Sequence, residues 1–348
     1  WQSIINSQPA GTTYRIAPGI HRLQSVIPKA GDHFIGDPET VMMGSKVIDG
    51  AVQDGSTGRW YFTNQTQPFL WYTFNSGGPR HFNCGNDLYI NGERQHHAET
   101  VSQVNEPGEF YFDEQANRIY VFGNPAGNLV EAVVSEYAFY MPAGVDGVTI
   151  EGFTIMHYGP PIRPAGAVRA RFAEDLTLRY MTVSWNHAVG VRAGHGSHIT
   201  NCQFIDNGQM GLGVSGEGYY VGSCKIARNG FEVPLAGEAG AMKASESVGV
   251  VFENNWVHDN YTFGIWFDIE NHGCVIRSNL VENHQRQIYF EVSGRGDLPN
   301  AQQSQIYWNT VVNGTGNAID SNSSSNVDIY ENLLLDNLVG LRIHSETR

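Results

Sequence analysis

An all-β fold, a right-handed parallel β-helix carrying a small β-rich insert, is what this sequence predicts, and three observations predict it. From about residue 145 a phrase recurs with a period near 22 residues: an apolar pair, a polar residue that is usually Asn, a glycine-rich bend and a short strand. Charged residues make up only 16% of the chain, while glycine reaches 40 of 348 residues; that profile suits short strands and tight turns rather than long charged helices. The period itself excludes helical repeats, which need 33–47 residues, and leucine-rich repeats, which would carry more Leu.

The recurrence is marked by Asn186, Asn207, Asn229, Asn260, His284, Asn313 and Asn337, at spacings of 21, 22, 31, 24, 29 and 24. The two long intervals contain inserts at residues 231–239 and 293–303 that read as loops. A five-residue strand follows each marker: G-V-R-A-G (190–194), G-L-G-V-S (211–215), A-M-K-A-S (241–245), G-I-W-F-D (264–268), Q-I-Y-F-E (287–291), A-I-D-S-N (318–322) and G-L-R-I-H (340–344), with A-V-R-A-R (167–171) before them. Strand side chains alternate faces, so positions two and four point inward and positions three and five outward. Coils of this length stack at roughly 4.8 Å, and asparagines at the bends are expected to adopt the left-handed conformation and to hydrogen-bond along the stack.

Residues 1–50 read as entry coils, residues 51–135 as the insert and residues 136–348 as the main β-helix. The insert carries hairpin signals in D-L-Y-I-N-G-E-R (87–94) and E-F-Y-F-D-E-Q-A-N-R-I-Y-V (109–121). Cys84, Cys202, Cys224 and Cys274 lack any C-x-x-C spacing, so no zinc site is indicated. Cys202 and Cys224 fall at equivalent positions one coil apart, where rung spacing allows a disulfide, but they read in preference as stacked inward thiols. No metal and no cofactor is expected; a calcium site wants several converging oxygen ligands, of which Asp268, Glu270 and Glu291 could supply some, so calcium stays open without support from the pattern. The net charge of −14 disfavours nucleic acid as a partner. No apolar run is long enough to span a bilayer. A first residue of Trp1 fits a leader already removed, and the pattern stops at Arg348 in mid-coil, as in a truncated chain or one capped in another form. A secreted or cell-surface location follows from the class.

The outward columns carry the functional argument. Column three reads Arg169, Arg192, Gly213, Lys243, Trp266, Tyr289, Asp320 and Arg342; column five reads Arg171, Gly194, Ser215, Ser245, Asp268, Glu291, Asn322 and His344. Solvent-facing Trp266 and Tyr289 beside Asp268 and Glu291 are how a protein holds sugars, the rings covering apolar sugar faces and the polar groups taking hydroxyls. Asp268 and Glu291 are 23 residues apart, one coil. Stacked rungs put their backbones about 5 Å apart, in the range of retaining glycosidases, whose carboxyl groups are ~5–5.5 Å apart, rather than inverting ones. Two close carboxylates resist joint ionisation, which leaves one as an acid near neutral pH. Asp268 is therefore assigned as nucleophile and Glu291 as general acid/base.

Lys243 precedes Asp268 by one coil and has two readings: a catalytic or substrate-binding group, or a salt bridge to Asp268 or Glu238. Glu238 is placed to reach over the site as a third carboxylate. Arg169, Arg171 and Arg192 suit a uronate or sulfate, or else pair with Glu174, Asp175 or Glu217. Asn322 completes the substrate-binding set. His258, Asp259 and Glu270 lie near bends at its margin.

The runs E-A-G-A-M-K (238–243), N-W-V-H-D-N (255–260), G-I-W-F-D-I-E-N (264–271) and I-Y-F-E-V-S (288–293) resemble secreted bacterial right-handed parallel β-helix repeat proteins, and the insert hairpins fit the same group. The resemblance covers about residues 18–316 and implies a carbohydrate-active protein. The Asp/Glu pair one coil apart also resembles the catalytic pair of a β-helical family of retaining β-xylosidases, which implies the same roles for Asp268 and Glu291. The sequence departs from the group's pattern at Ala241 and at Gln287, where glycine is usual; Gln287 is expected to reshape a subsite. Three functions follow in order: a retaining glycoside hydrolase, a polysaccharide lyase on a uronate glycan using Lys243 and Tyr289, and a non-catalytic glycan-binding solenoid.

Overall fold

A computed structural model describes residues 1–37, 39–72, 78–162, 165–231, 238–294 and 302–345. The expected loops at 231–239 and 293–303 fall largely outside them. Each coil contributes one strand to each of three parallel sheets. Among the described residues the first sheet has ten strands, from Thr13–Arg15 to Val327–Tyr330, and the second ten, from Gly19–Arg22 to Leu333–Leu335. The third has nine, from Phe139–Tyr140 to Val339–His344. Among the described residues no helix is long and apolar enough to cross a membrane.

Side-chain alternation puts one apolar residue per strand into the lumen. Ile150, Leu178, Ile199, Val221 and Phe252 come from the first sheet, Ile155, Val183, Phe204, Ile226 and Val257 from the second, and Leu212, Met242, Ile265, Ile288 and Ile319 from the third. Each such buried side chain contributes about 1.5–3 kcal/mol. Cys202 and Cys224 stack in the same core as free thiols.

The bends divide two tasks that the sequence pattern assigned to one residue. Asn186, Asn207, Asn229 and Asn260 form a buried ladder, each Nδ2 donating to the next Oδ1 at 2.9–3.0 Å, and Asn260 then meets Nε2 of His284 at 3.0 Å. A second ladder runs through Asn255, Asn279, Asn309 and Asn332. The left-handed backbone belongs instead to the preceding residue: Trp185, Asp206, Arg228, Asp259 and Asn283 have φ of 55–65° or, for Arg228, 54°. Asn313 is one of these left-handed residues (φ 57°), and Gly314 takes the ladder position expected for it. Gln287 fills the resulting gap. Its Oε1 lies 2.8 Å from Nδ1 of His284 and its Nε2 donates to Asn337 at 3.0 Å. Gln287 is therefore a buried ladder residue and shapes no subsite.

The chain leaves the helix through Ser45–Val47 and returns antiparallel to it through Val130–Val133. Between them lie the two predicted hairpins, Leu88–Ile90 with Glu93–Arg94 and Glu109–Asp113 with Arg118–Phe122. Asn91 and Gly92 have φ of 53° and 83°, the backbone of a tight two-residue hairpin turn. The insert docks through Asp87: its carboxylate accepts from Arg94 at 2.8 Å and contacts Nδ1 of His187, on the helix, at 3.1 Å. Burial alone would raise the Asp87 pKa, but Arg94 and His187 outweigh it and hold the carboxyl below its ordinary value.

Two features depart from regular coils. Residues Gln2–Ser7 form a short helix whose Ile5 enters the core, where the sequence pattern suggests an entry coil. In the last coil Leu338 and Ile343 are 78% and 70% exposed.

Candidate active site

The third sheet sets the site. Its register aligns Gly213 with Lys243, Lys243 with Trp266, Trp266 with Tyr289 and Tyr289 with Asp320 in one column. Ser215, Ser245, Asp268, Glu291, Asn322 and His344 align in the other. Asp268 and Glu291 are thus direct neighbours across one rung, on strands Phe263–Asp268 and Arg286–Glu291.

Both columns point away from the lumen, yet they are covered rather than solvent-facing as the sequence pattern suggested. Trp266 and Tyr289 are 8% and 2% exposed and form their own aromatic cluster with Phe263, whose ring lies 4.4 Å from that of Trp266 and 5.6 Å from that of Tyr289. The Arg286 guanidinium covers Tyr289 from 4.4 Å. Asp268 and Glu291 are 6% exposed and Lys243 4%.

Lys243 is the electrostatic centre. Its Nζ lies 2.8 Å from Oδ2 of Asp268 and 3.2 Å from Oε1 of Glu238, and 4.0 Å over the Trp266 ring. Both partners named for it from the sequence are therefore engaged at once. The other oxygen of Asp268, Oδ1, is buried and has no hydrogen-bond partner among the described residues. A buried acceptor left in that state costs about 1–3 kcal/mol, and it is the oxygen of Asp268 that carries no commitment. Glu291 accepts a bond from the Trp266 indole at 3.2 Å, and Asn322 donates to the Tyr289 hydroxyl at 2.9 Å.

The site extends past the residues singled out from the sequence. Asp320, wholly buried, is held by Asn317 at 2.6 Å, His344 at 2.9 Å and Arg286 at 3.8 Å. Phe263, Arg286, Asp320 and His344 all flank the aromatic pair; Asp320 and His344 stood in the outward columns, whereas Phe263 and Arg286 precede their strands' regular pattern.

Arg169 and Arg192 are neighbours in the register of the third sheet, but the three arginine side chains go to different partners. Arg169 pairs with Glu136 at 3.2 Å and lies 4.9 Å over Tyr140, rather than meeting Glu174, Asp175 or Glu217. Arg171 is exposed, against Phe172. Arg192 is buried and folds over the neighbouring rung, where a Cβ on Gly213 would come within 2.4 Å of its Nη1. His258 and Asp259 contact each other at 2.6 Å at the edge of the second sheet, away from the site. Glu270 occupies the left-handed bend after Asp268. Among the described residues no group of three or more His, Cys, Asp or Glu is arranged to hold a metal ion.

A carboxylate paired to an ammonium, with its second oxygen uncommitted, beside a second carboxylate one rung away can attack an electrophilic carbon and exchange a proton with the group that leaves it.

Residues 166–334 match the family model described as the right handed beta helix region. No curated protein matches the chain. Among solved structures, XylC in complex with xylose is 16% identical with a TM-score of 0.78, over 94% of this chain and 64% of that one; this chain thus spans under two thirds of XylC. A structure described as a glycoside hydrolase is 11% identical with a TM-score of 0.54, over 96% of this chain and 88% of that one. These likenesses are likenesses of fold, and with the three stacked sheets they make the chain a right-handed parallel β-helix protein, matched by that family across residues 166–334.

Proposed function

We propose that the chain is a secreted or cell-surface retaining glycoside hydrolase that cleaves a polysaccharide or oligosaccharide on the outer face of its third sheet. The observation that carries this reading is the in-register Asp268–Glu291 pair with Oδ1 of Asp268 buried and unpartnered. Adjacent rungs lie roughly 4.8 Å apart, close to the ~5–5.5 Å that a retaining pair requires.

In this reading Asp268 attacks the anomeric carbon and Glu291 delivers a proton to the departing glycosidic oxygen. Glu291 then takes a proton from water as that water displaces Asp268 from the sugar. Lys243 balances the charge of Asp268 and holds its Oδ2, which sets the orientation of the attacking Oδ1, while Glu238 holds Lys243 from the far side. Trp266 orients Glu291 through its indole N–H. XylC, described with bound xylose, makes aryl β-xylosides the first substrates to try.

Elimination has less support, because an ammonium lodged between two carboxylates is a poor base. The test is turnover on aryl glycosides and a polysaccharide panel, with release of reducing ends and ultraviolet absorbance followed together. Asp268→Ala and Glu291→Ala are each expected to lose about 10³-fold or more with unchanged circular dichroism, and azide is expected to rescue the Glu291 variant or the Asp268 variant as a glycosyl azide. Full turnover in either variant, an inverted first product or an unsaturated sugar would overturn the proposal.

A further inference from the structure

A second feature lies on the opposite side of each coil from the third sheet, at the corner where the first sheet turns into the second. A groove of about 610 Å³ opens there. Its floor exists because Gly36 and Gly152 stack without side chains: a Cβ on Gly36 would come within 2.9 Å of the Gly152 carbonyl oxygen, and one on Gly152 within 2.8 Å of that of Gly36.

Tyr180 stands at the same corner one coil on. Its φ is +56°, in the left-handed region that the bend requires at this position in the following coils as well, where Asn201, Ser223, Asn254, Ser278, Trp308 and Glu331 take it. A bulky aromatic residue is out of place in that conformation, and no packing repays it: the ring is 65% exposed. Trp308 adopts the same backbone further along the column, but it is tied by its indole to Glu331 and packs edge-on against Tyr307. Tyr180 has no ring or side-chain hydrogen-bond partner among the described residues. Strain of this kind is retained where the side chain has a task.

Around the ring stand Asn201 and Gln203, both exposed, with Thr154 and Thr182. None of these four side chains hydrogen-bonds to another described residue, so two amides and two hydroxyls face the groove uncommitted. An aromatic face beside uncommitted amides and hydroxyls matches a sugar ring, with its apolar face and its hydroxyl edge. Asp37 lines the same groove, and Glu151 there is already paired with Arg179 and lies 3.0 Å from His33, so the lining offers no cation uncommitted for an acidic glycan and suits a neutral one.

We infer that this corner groove is a second carbohydrate site, which binds a neutral glycan chain by stacking a sugar on Tyr180 and does not take part in cleavage. It holds the protein on the polymer, and it stands whether or not the third sheet hydrolyses it.

The test is native affinity electrophoresis through gels cast with arabinoxylan, galactomannan, mixed-linkage β-glucan or soluble starch, in an Asp268→Ala background that leaves the polymer intact. At least one polymer is expected to retard the protein, and Tyr180→Asn is expected to weaken that retardation fivefold or more. Since Asn tolerates the left-handed backbone, the same variant should melt at an unchanged or higher temperature, which separates loss of binding from loss of fold. Trp266→Ala should leave the Tyr180-dependent component in place. The inference is overturned if none of the four polymers retards the protein, or if Tyr180→Asn leaves the retardation as it was. Turnover is not read in this experiment, so its failure and that of the hydrolase reading are distinct.

Discussion

The outer faces of the second and third sheets are built from the same repeat in the same register, yet they treat charge in opposite ways. On the second-sheet side the cation reaches water: Arg228 pairs with the largely covered Asp206 at 2.7 Å with its own side chain 45% exposed, and the neighbouring Trp256 and Leu280 are 42% and 37% exposed. On the third sheet Lys243, Asp268, Glu291 and Asp320 are no more than 6% exposed. Taking an ion out of water costs several kcal/mol, and an ion pair seldom returns more than a well-packed apolar group would. Stability therefore accounts for the solvated pairs of the second sheet but not for the buried ones of the third. Buried charges that stability does not account for are what the proposed catalytic role of Asp268 and Glu291 would require.

The sharpest way to break this contrast is Lys243→Met. It leaves Asp268 and Glu238 without their shared cation in a nearly dry site, and urea unfolding should show a loss of about 3–5 kcal/mol. A loss under about 1 kcal/mol would mean that water reaches the pair and that the two faces differ less than their burial implies.

Next in size is a pH effect at the corner leading into the third sheet. Burial pushes the His284 pKa down to about 4, so the native state keeps this ring neutral. A pKa lowered on folding means that the unfolded chain binds the proton first. The stabilisation is complete above about pH 6.5 and is lost as pH falls towards 4, up to roughly 3 kcal/mol. His284→Asn continues the ladder with an amide and should flatten that part of the decline between pH 7 and 4.5; His157, pushed by burial to about 3, and His97, also pushed down by burial, would keep their own parts of it. An unaltered pH dependence in the variant would show that His284 is charged or solvated in the native state.

The smallest effect is expected on the second-sheet side. Arg228→Ala should cost less than about 1 kcal/mol in the same assay, as exposed pairs do. A cost of several kcal/mol would put the two faces in one class.

The coil register was legible because the period of each coil and the alternation of each strand are both written in residue order: once Ile265 and Ile288 point inward, Asp268 and Glu291 must be neighbours. Burial of the outward columns was not legible, because it depends on Phe263 and Arg286, which stand before the regular strand pattern and cover Trp266 and Tyr289. The slip from Asn313 to Gly314 has another cause. Each bend needs one left-handed residue and one ladder amide in succession, and Asn is chemically suited to both. Gln287 restores the amide from a strand position that no bend pattern flags. The arginine pairings were unreadable for the same reason as the insert's docking, since Glu136 and Asp87 reach their partners across the chain rather than along it.

The excursion between Ser45 and Val133 has a consequence for how the molecule assembles. Phe34 pairs with Ile150 across that detour, whereas Ile150 and Leu178 are joined by a single turn of the spiral. Closing a long loop must precede any reward from the contacts it permits. The spiral from residue 149 onward can accordingly grow turn upon turn, while the amino-terminal strands carry the added entropic cost of closing the detour before they can join it.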